Sequence, residues 1–212
     1  MHIAIIGSGS VGTALARNAT RSGHTVVFGA RDPAGERAAA ATAAAPGATV
    51  EAIPTAVRGA DVVILATPYD AATDALDAAG PLDGVIVVDC TNPIAPGLSG
   101  VSVGTTSSGA EVIAAHVPTA RVVKAFNTTG AENLADPAYR GGPIVLPICG
   151  DDADAKQVVT ALARDLGFDV VDVGPLAGAR YTEPFAMLWI TLAVRSGLGR
   201  DFAFALVHRG DG

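Results

Sequence analysis

The chain has 212 residues, of which 50% are hydrophobic and 17% are charged, so it can form a sizeable core and does not resemble a disordered chain. Its formal net charge of −7 argues against nucleic acid or an anionic membrane surface as the main partner. No apolar run approaches the roughly 18 residues of a membrane span, and no signal-peptide pattern precedes the first strand-like residues, so we expect a cytoplasmic protein.

The first half of the chain alternates short β-branched stretches with Ala-rich stretches of helical length. The pattern predicts strands at 2–7, 25–29, 48–52, 61–68 and 84–93, and helices at 10–23, 32–45, 54–59 and 70–79. DVVILATP and GVIVVDCTNP are apolar without period-two alternation, which indicates strands buried on both faces of a sheet. Cys90, and Cys149 in the later run VLPIC, are interpreted as buried structural thiols.

The second half begins with a loop rich in Gly, Ser and Thr over 94–109. We then predict helices at 110–117 and 152–167, strands at 121–127, 143–150 and 169–174, and a helical stretch from Arg180 to about His208, interrupted near Gly197 and Gly199. This order predicts an α/β protein, a doubly wound parallel sheet of the NAD(P)-binding Rossmann type with a small C-terminal helical extension. We predict a single domain over 1–212, with a dinucleotide-binding core at 1–142 and a β-α-β unit plus C-terminal helices at 143–212.

A glycine motif at the first strand–helix junction carries the first functional signal. Gly7, Gly9 and Gly12 in GSGSVG form a G-x-G-x-x-G motif directly after a predicted strand and at the start of a predicted helix, the context in which the motif binds a dinucleotide. Gly7 permits the tight turn, Gly9 lets the backbone approach the pyrophosphate, and Gly12 allows the helix to pack closely on the strand. Free amides and the helix dipole favour an anion at this position.

The end of the second strand distinguishes NADP from NAD. A carboxylate there accepts hydrogen bonds from the ribose 2′-hydroxyl of NAD, whereas an Arg suits the 2′-phosphate of NADP. In FGARDP the strand tip falls on Arg31, and Asp32, which precedes Pro33, is interpreted as the N-cap of the next helix. The sequence therefore predicts NADP(H) as the cofactor, with Arg31 at the 2′-phosphate.

Five stretches together resemble a known family. HIAIIGSGSVGTALA, GARDP, VVKAFNTTGAENLADP, ICGDDADAKQVV and DVGPLAGARYTEPFAMLWI are similar to the NADPH-dependent reductases of the deazaflavin coenzyme F-420 (F420), and also to the cytoplasmic oxidoreductase domain of the STEAP metalloreductases. The resemblance covers nearly the whole chain. It implies that a hydride passes directly between nicotinamide and a deazaflavin ring, so that no protein residue is needed as acid or base. It also implies a homodimer.

The resemblance further implies which residues surround the two cofactors. Ser8, Gly9, Ser10 and Val11 would line the pyrophosphate, and Arg31 would contact the 2′-phosphate. Beside the nicotinamide the implied residues are Thr67 and Pro68, and at the redox cleft they are Asn92, Pro93, Ala125, Phe126, Asn127 and Thr128. All of these groups follow predicted strands at their carboxyl ends, where open α/β sheets bind ligands.

The resemblance leaves the hydride acceptor open. The FNTTG segment is closer to the metalloreductase type than to the F420 reductases, so a deazaflavin, a flavin and another small acceptor are all considered. Lys124, Arg121 and Arg180 are the candidate cations for an anionic coenzyme tail, although they are isolated from one another in an acidic chain.

Other polar and aromatic clusters receive structural interpretations. The four histidines show no metal-ligand spacing with Cys, Asp or Glu, and no metal site is predicted. The acidic residues at 151–154 are placed at a helix N-terminus, and Ser107 or Ser108 is expected to cap the helix after the loop. Core packing or a dimer interface, rather than a cover for a flat ring, is the interpretation of Phe185, Met187, Trp189 and Phe202.

The leading hypothesis is an NADP(H)-dependent oxidoreductase that exchanges a hydride with a deazaflavin or a flavin, with these small molecules as its partners. A small-substrate imine or hydroxyacid reductase is an alternative, but it would need a dedicated helical domain, and only a short helical stretch follows GPLAG. A redox sensor that binds NADP without turnover is the non-enzymatic alternative.

Overall fold

The computed structural model describes residues 1–209, and residues 210–212 of the predicted domain lie outside the described part of the chain. The strands are β1 (His2–Ile6), β2 (Thr25–Ala30), β3 (Thr49–Ala52), β4 (Val62–Leu65), β5 (Ile86–Asp89), β6 (Arg121–Lys124), β7 (Val145–Gly150) and β8 (Asp169–Asp172). The α-helices are α1 (Ser10–Arg21), α2 (Glu36–Ala44), α3 (Ile53–Ala56), α4 (Ala72–Ala79), α5 (Gly109–His116), α6 (Ala131–Ala135), α7 (Ala153–Asp165) and α8 (Ala179–Ile190). Short 3₁₀ turns lie at Tyr69–Ala71, Pro96–Leu98 and Leu176–Gly178.

The eight strands form one sheet in the order β3-β2-β1-β4-β5-β6-β7-β8. Neighbours from β3 to β6 are parallel, whereas β7 is antiparallel to β6 and β8 is parallel to β7. The predicted α/β fold of the Rossmann type is confirmed, and its parallel part ends at β6. The link to β7 contains only the five-residue α6, which packs against α1 and does not provide the helical crossover that a parallel pair needs.

Both faces of the sheet are covered by apolar side chains. In β4, Val62 and Ile64 face a cluster that includes α1 and α7, while Val63 and Leu65 face a cluster that includes α4, α5 and α8. All four side chains are fully buried. The missing period-two alternation in this stretch is therefore explained, because each face of a central parallel strand packs against helices.

The stretch after β2 differs from its predicted form. Helix α2 begins at Glu36 with Gly35 in the cap position and no side-chain cap, so the prediction that Asp32 is the N-cap is wrong. Residues 32–35 form a turn in which the Gly35 N–H donates to the Asp32 carbonyl at 3.2 Å. Pro33 favours this turn because its fixed φ suits the second turn position. Asp32 is thus free to face the edge of the sheet.

The C-terminal segment is less helical than predicted. Helix α8 continues into a π turn over Thr191–Arg195, and residues 196–209 contain no helix. Gly197 and Gly199 end the helical stretch because both adopt positive φ angles, 74° and 72°. Residues 202–204 then return to the sheet, where the Phe204 carbonyl accepts a hydrogen bond from the Val145 N–H at 3.0 Å.

The aromatic residues of this segment pack on each other. The Trp189 ring stacks on Phe202 with centroids 5.3 Å apart, and Phe185 contacts Phe204 at 4.8 Å. The indole N–H of Trp189 also donates to the Phe202 carbonyl. Trp189 and Phe202 thus pack on each other, which agrees with the interpretation of these residues as core packing.

Several local predictions hold in the described residues. Ser108 caps α5 by accepting from the Glu111 N–H, and Asp152 caps α7 by accepting from the Ala155 N–H. Cys90 and Cys149 are free and buried. None of the helices in residues 1–209 combines the length and the apolar character that crossing a membrane requires.

A buried ion network joins β5, β6, α5 and α8 at the carboxyl end of the sheet. The Lys124 ammonium lies 2.8 Å from Asp89 Oδ2 and 2.9 Å from Glu183 Oε1, and it donates to the Thr91 carbonyl. Asp89 also accepts from the Thr91 N–H, and Glu183 accepts from the first two backbone amides of α5. The network therefore fixes elements that are distant in sequence.

The charges of this network are almost fully shielded from water. The three ionic side chains are at most 1% exposed. Burial lowers the pKa of Lys124, but Asp89 and Glu183 together raise it by more, so the pKa lies above its ordinary value. Lys124 is consequently a buried cation whose two anionic partners compensate for lost hydration.

Replacing Lys124 with Met would leave two carboxylates buried without their counter-ion. We expect Lys124→Met to lower the free energy of unfolding by about 3–5 kcal/mol, the usual cost of removing one partner of a buried ion pair. The other lysine of the chain supplies a matched control: Lys156 lies 2.8 Å from Asp172, whose side chain is 49% exposed, and Lys156→Met should cost less than about 1 kcal/mol. Urea unfolding measures both variants, and equal losses would contradict the assigned role of Lys124.

Candidate functional site

The turn between β1 and α1 uses each glycine of its motif for a different steric reason. Gly7 has φ +117°, and a β-carbon there would lie 2.5 Å from the Ala66 carbonyl oxygen. A β-carbon on Gly12 would lie 1.9 Å from the Gly7 carbonyl oxygen. Gly9 has no atom within 4 Å of its β-carbon position, so its lack of a side chain leaves open space in front of the turn. Gly7 and Gly12 thus allow the turn to pack closely on the neighbouring backbone, and Gly9 leaves the turn accessible to a ligand.

The N-terminus of α1 points its unsatisfied amides at this open space. Gly9 occupies the cap position without a side-chain hydrogen bond, and the first turn contains no acidic residue. Ser10 and Val11 are the first two residues of the helix, and Ser8 precedes the cap. Backbone amides and the helix dipole make such a terminus favourable for a phosphate group.

A cleft of about 760 Å³ runs along the carboxyl ends of β2, β1 and β4. Its walls come from the glycine turn, from the tip of β2 with the first turn of α2, and from the end of β4. Its lining includes Gly7, Ser8, Gly9, Arg31, Arg37, Thr67 and Pro68. The cleft is large enough for a nucleotide.

Two arginines line the β2 end of the cleft. Arg31 follows directly after β2, where the sequence placed it, and Arg37 is the second residue of α2. In residues 1–209 neither guanidinium forms an ion pair with a carboxylate, although Asp32 and Glu36 also line the cleft. Arg37 was not predicted from the sequence, because the predicted helix began at residue 32 and put Arg37 beyond its first turn. The observed start at Glu36 makes Arg37 a cation in the first turn, which is unfavourable for the helix dipole.

The β4 end of the cleft carries an unsatisfied polar atom. Thr67 Oγ1 is buried and has no hydrogen-bond partner within the described part of the chain. A buried hydroxyl without a partner is unfavourable and calls for a ligand or water. Together with the open space at Gly9 and the unpaired arginines, it shows that the residues present fit a dinucleotide with an additional phosphate.

The residues after β5 and β6 form a second group on the same edge of the sheet. Asn92 Nδ2 donates to the Asn127 carbonyl at 2.8 Å, and Asn127 Nδ2 donates to Asn92 Oδ1 at 3.0 Å. Phe126 adopts φ +59°, a left-handed conformation that is costly for a bulky residue and is found mainly where the surroundings enforce it. The structure therefore joins Asn92 to Asn127, although neither lines the cleft.

The other predicted residues of this second group lie deeper. Pro93, Ala125 and Thr128 are buried, and the Ala125 N–H donates to the Asp89 carbonyl. Ala125 and Thr128 thus support the turn after β6 with their packing, while Asn92 is the more exposed member of the group.

Tyr69 is a residue of this region that sequence reasoning missed. It follows Pro68, and its ring meets the N-terminus of α5: a β-carbon on Gly109 would lie 2.8 Å from Tyr69 Cε2, 3.2 Å from Glu183 Oε1 and 3.2 Å from Pro93 Cδ. The Tyr69 ring therefore connects the cleft wall with the buried ion network. The sequence signal for Tyr69 was its position directly after Ala66, Thr67 and Pro68, the residues that end the predicted strand at 61–68.

The three cations predicted for an anionic coenzyme tail are engaged elsewhere. Lys124 is buried between two carboxylates, and Arg180 forms a two-pronged ion pair with Glu111, whose Oε2 accepts from Arg180 Nε at 2.9 Å. Arg121 begins β6 and therefore lies at the opposite edge of the sheet, where its Nε donates to the Gly84 carbonyl. The prediction for these residues is wrong because their charges already have partners or point away.

Comparisons with known proteins agree with this geometry. Residues 2–93 match the family described as "NADP oxidoreductase coenzyme F420-dependent". A solved protein of Arthrobacter sp. FB24, named as an F420-dependent NADP reductase, is 33% identical, with a TM-score of 0.86 over 97% of this chain and 100% of that chain.

Two further relatives are more distant in length or sequence. Metalloreductase STEAP3 of Rattus norvegicus is 34% identical over 181 residues, which are 85% of this chain, and this chain spans only 35% of that protein's length. A reductive aminase from Aspergillus terreus shares the fold at 22% identity and a TM-score of 0.67, over 92% of this chain and 62% of that one. Family model, shared length and fold agree, and the chain belongs to the family of coenzyme F420-dependent NADP oxidoreductases.

Proposed function

We propose that the protein transfers a hydride between NADPH and a deazaflavin or flavin ring. The observation that carries the proposal is the cleft itself, which has an uncapped helix N-terminus in its middle and, at one end, two arginines that form no ion pair within residues 1–209. Family membership and the F420-dependent reductase of similar length favour a deazaflavin as the acceptor. The similarity to STEAP3 keeps a flavin among the candidates.

The cofactor-binding roles follow from the position of each group along the cleft. The backbone at Gly7–Gly12 would hold the pyrophosphate, and Arg31, assisted by Arg37, would contact the 2′-phosphate. Thr67 and Pro68 would border the nicotinamide, where Thr67 Oγ1 needs a partner. Asn92 would border the second ring, and the buried Pro93, Ala125, Asn127 and Thr128 would support that border from behind.

The residues at the redox end position groups and exclude water. When bound, NADPH supplies the hydride, and direct transfer to a ring needs no acid or base from the protein. The paired amides of Asn92 and Asn127 hold the turns after β5 and β6 together. No residue is assigned as catalytic. The cytoplasmic location and the homodimer stay predictions.

The alternatives have weaker support in this chain. The reductive aminase from Aspergillus terreus is 22% identical to this chain, a likeness that supports the shared fold and does not favour an imine or hydroxyacid substrate. A sensor that binds NADP without turnover would need the same cleft and no site for a second ring. The strained turn at Phe126 and the Asn92–Asn127 pair favour a built second site.

Turnover with purified protein tests the proposed function. We expect NADPH absorbance to decrease when oxidised F420, FMN, FAD or riboflavin is added separately, with at least one deazaflavin or flavin acting as a substrate. NADPH without acceptor and acceptor without protein are the controls. Saturable NADPH binding without oxidation by any of these acceptors would contradict hydride transfer and support the sensor.

Removing either arginine at the β2 end tests the NADP assignment. Arg31→Ala should weaken NADPH binding by about 1.5–3 kcal/mol, the usual contribution of a hydrogen bond to a charged group. Arg37→Ala should also weaken NADPH binding. NADH binding should change little, since NADH lacks the 2′-phosphate. The exposed Arg58, which does not line the cleft, is the control, and Arg58→Ala should alter neither cofactor. Equal losses for NADPH and NADH would overturn the assignment.

Two glycine variants distinguish access from packing. Gly9→Ala should leave the fold intact, because its β-carbon position is open, and should weaken NADPH binding by occupying the space of the pyrophosphate. Gly12→Ala should instead destabilise the fold by about 1–3 kcal/mol, because its β-carbon would overlap the Gly7 carbonyl. Urea unfolding and fluorescence titration with NADPH measure both effects. Full NADPH affinity in Gly9→Ala would place the pyrophosphate elsewhere.

A further inference from the structure

The buried network around Lys124 carries an excess of negative charge. Asp89 accepts from the Lys124 ammonium and the Thr91 N–H, and Glu183 accepts from Lys124 and two backbone amides of α5. Because all of these partners are donors, both carboxylates are in their anionic form. Two anions thus share one ammonium, and the partial positive charge at the N-terminus of α5 offsets only part of the second anion.

This network lies next to the wall of the cofactor cleft. In the sheet, Leu65 of β4 pairs with Asp89 of β5, and Asp89 pairs with Lys124 of β6. Thr67, which lines the cleft, follows Leu65 by two residues. Neighbouring strands are about 4.8 Å apart, so the network is one to two strands, roughly 5–10 Å, from the β4 end of the cleft.

Tyr69 lies between the network and the cleft wall. Its ring and the Glu183 carboxylate flank the same point above Gly109, and Tyr69 directly follows the cleft residue Pro68. Burial raises the pKa of Tyr69, and the charges of Glu183 and Asp89 raise it further, while Lys124 lowers it. The two carboxylates therefore outweigh the ammonium at the cleft wall.

A nicotinamide changes its charge when it gives up a hydride. Its C–H bond breaks, the hydrogen leaves with two electrons and forms a bond to the deazaflavin or flavin, and the nicotinamide ring changes from neutral to positively charged. The reduced acceptor ring takes up the matching negative charge, which a proton from solvent then neutralises. We propose that the Lys124–Asp89–Glu183 network stabilises the oxidised nicotinamide over the reduced one, so that the protein binds NADP⁺ more tightly than NADPH and favours oxidation of the bound NADPH. This inference rests on the proposed binding of the nicotinamide at Thr67 and Pro68.

The size of the effect follows from Coulomb's law. One unit charge roughly 10 Å from the ring, at an effective dielectric constant of about 20, changes the ratio of the two dissociation constants by on the order of tenfold. Charge at such a distance acts without contact, so Asp89 and Glu183 are positioning and electrostatic groups rather than catalytic residues. The exposed Asp70, which follows Tyr69 in the chain, also raises the pKa of Tyr69, by less than either carboxylate of the network.

Titrating two charge-neutralised variants tests the inference. NADP⁺ and NADPH are titrated separately against wild type, Glu183→Gln and Asp89→Asn at neutral pH. Wild type should bind NADP⁺ more tightly than NADPH. In each variant the ratio of the NADPH dissociation constant to the NADP⁺ dissociation constant should fall about tenfold, because the substitution removes one negative charge beside the ring. Asp61→Asn is the matched control: it removes the same charge at the opposite edge of the sheet, at the start of β4, and should leave the ratio unchanged.

Adenosine 2′,5′-bisphosphate keeps the test independent of folding defects. It occupies only the adenine half of the cleft, so its affinity should be the same in all folded variants. If a variant no longer binds the bisphosphate, only the affinities of the wild-type protein are used. Tighter binding of NADP⁺ than of NADPH by wild type then supports the inference, and tighter binding of NADPH overturns it. An unchanged ratio in a variant that still binds the bisphosphate also overturns it. Wild type that binds neither dinucleotide would instead refute the proposed function, so the two failures are distinguishable.

Discussion

The buried ammonium of Lys124 is the interaction on which the arrangement of the redox end depends. Its partners come from β5, from the turn after β5 and from α8, and Glu183 extends the connection to α5. Removing charges from water is unfavourable, so the network is stable only because every ionic group has close partners of opposite sign or polarity. That requirement fixes the turn that carries Asn92 and the helix that faces Tyr69.

The cofactor end could be read from the sequence because its constraints are local. The glycine spacing reports a turn that tolerates no β-carbon at Gly7 or Gly12, and both steric reasons are visible in the structure. The unalternating apolar stretches correspond to β4 and β5, and Arg31 lies where the strand register placed it. A pattern within about thirty residues is sufficient for each of these conclusions, since strand, turn and helix form one unit.

The redox end could not be read in the same way because its constraints join distant residues. Lys124 was a candidate cation for an anionic coenzyme tail, and only the pairing of β5 with β6 and the docking of α8 show its two carboxylates. The reversal of β7 and the return of Phe204 to that strand depend on tertiary packing that hydrophobic periodicity does not encode. The prediction that Asp32 caps the next helix was wrong for a local reason, because the chain forms a turn after Asp32, at Pro33, before the helix begins.

The position of the two ends along the chain has a consequence for how the molecule assembles. Every residue that lines the cofactor cleft precedes residue 69, whereas the ion network is complete only when Glu183 reaches α5, and Glu183 lies 74 positions after Gly109 in the chain. The loop-closure entropy of the second contact is therefore larger, and its gain arrives only after β6 and α8 are in place. As the chain emerges during synthesis, the nucleotide cradle precedes the half that meets the acceptor. A ligand that orders the first half thus acts on a different stage of folding from one that orders the second.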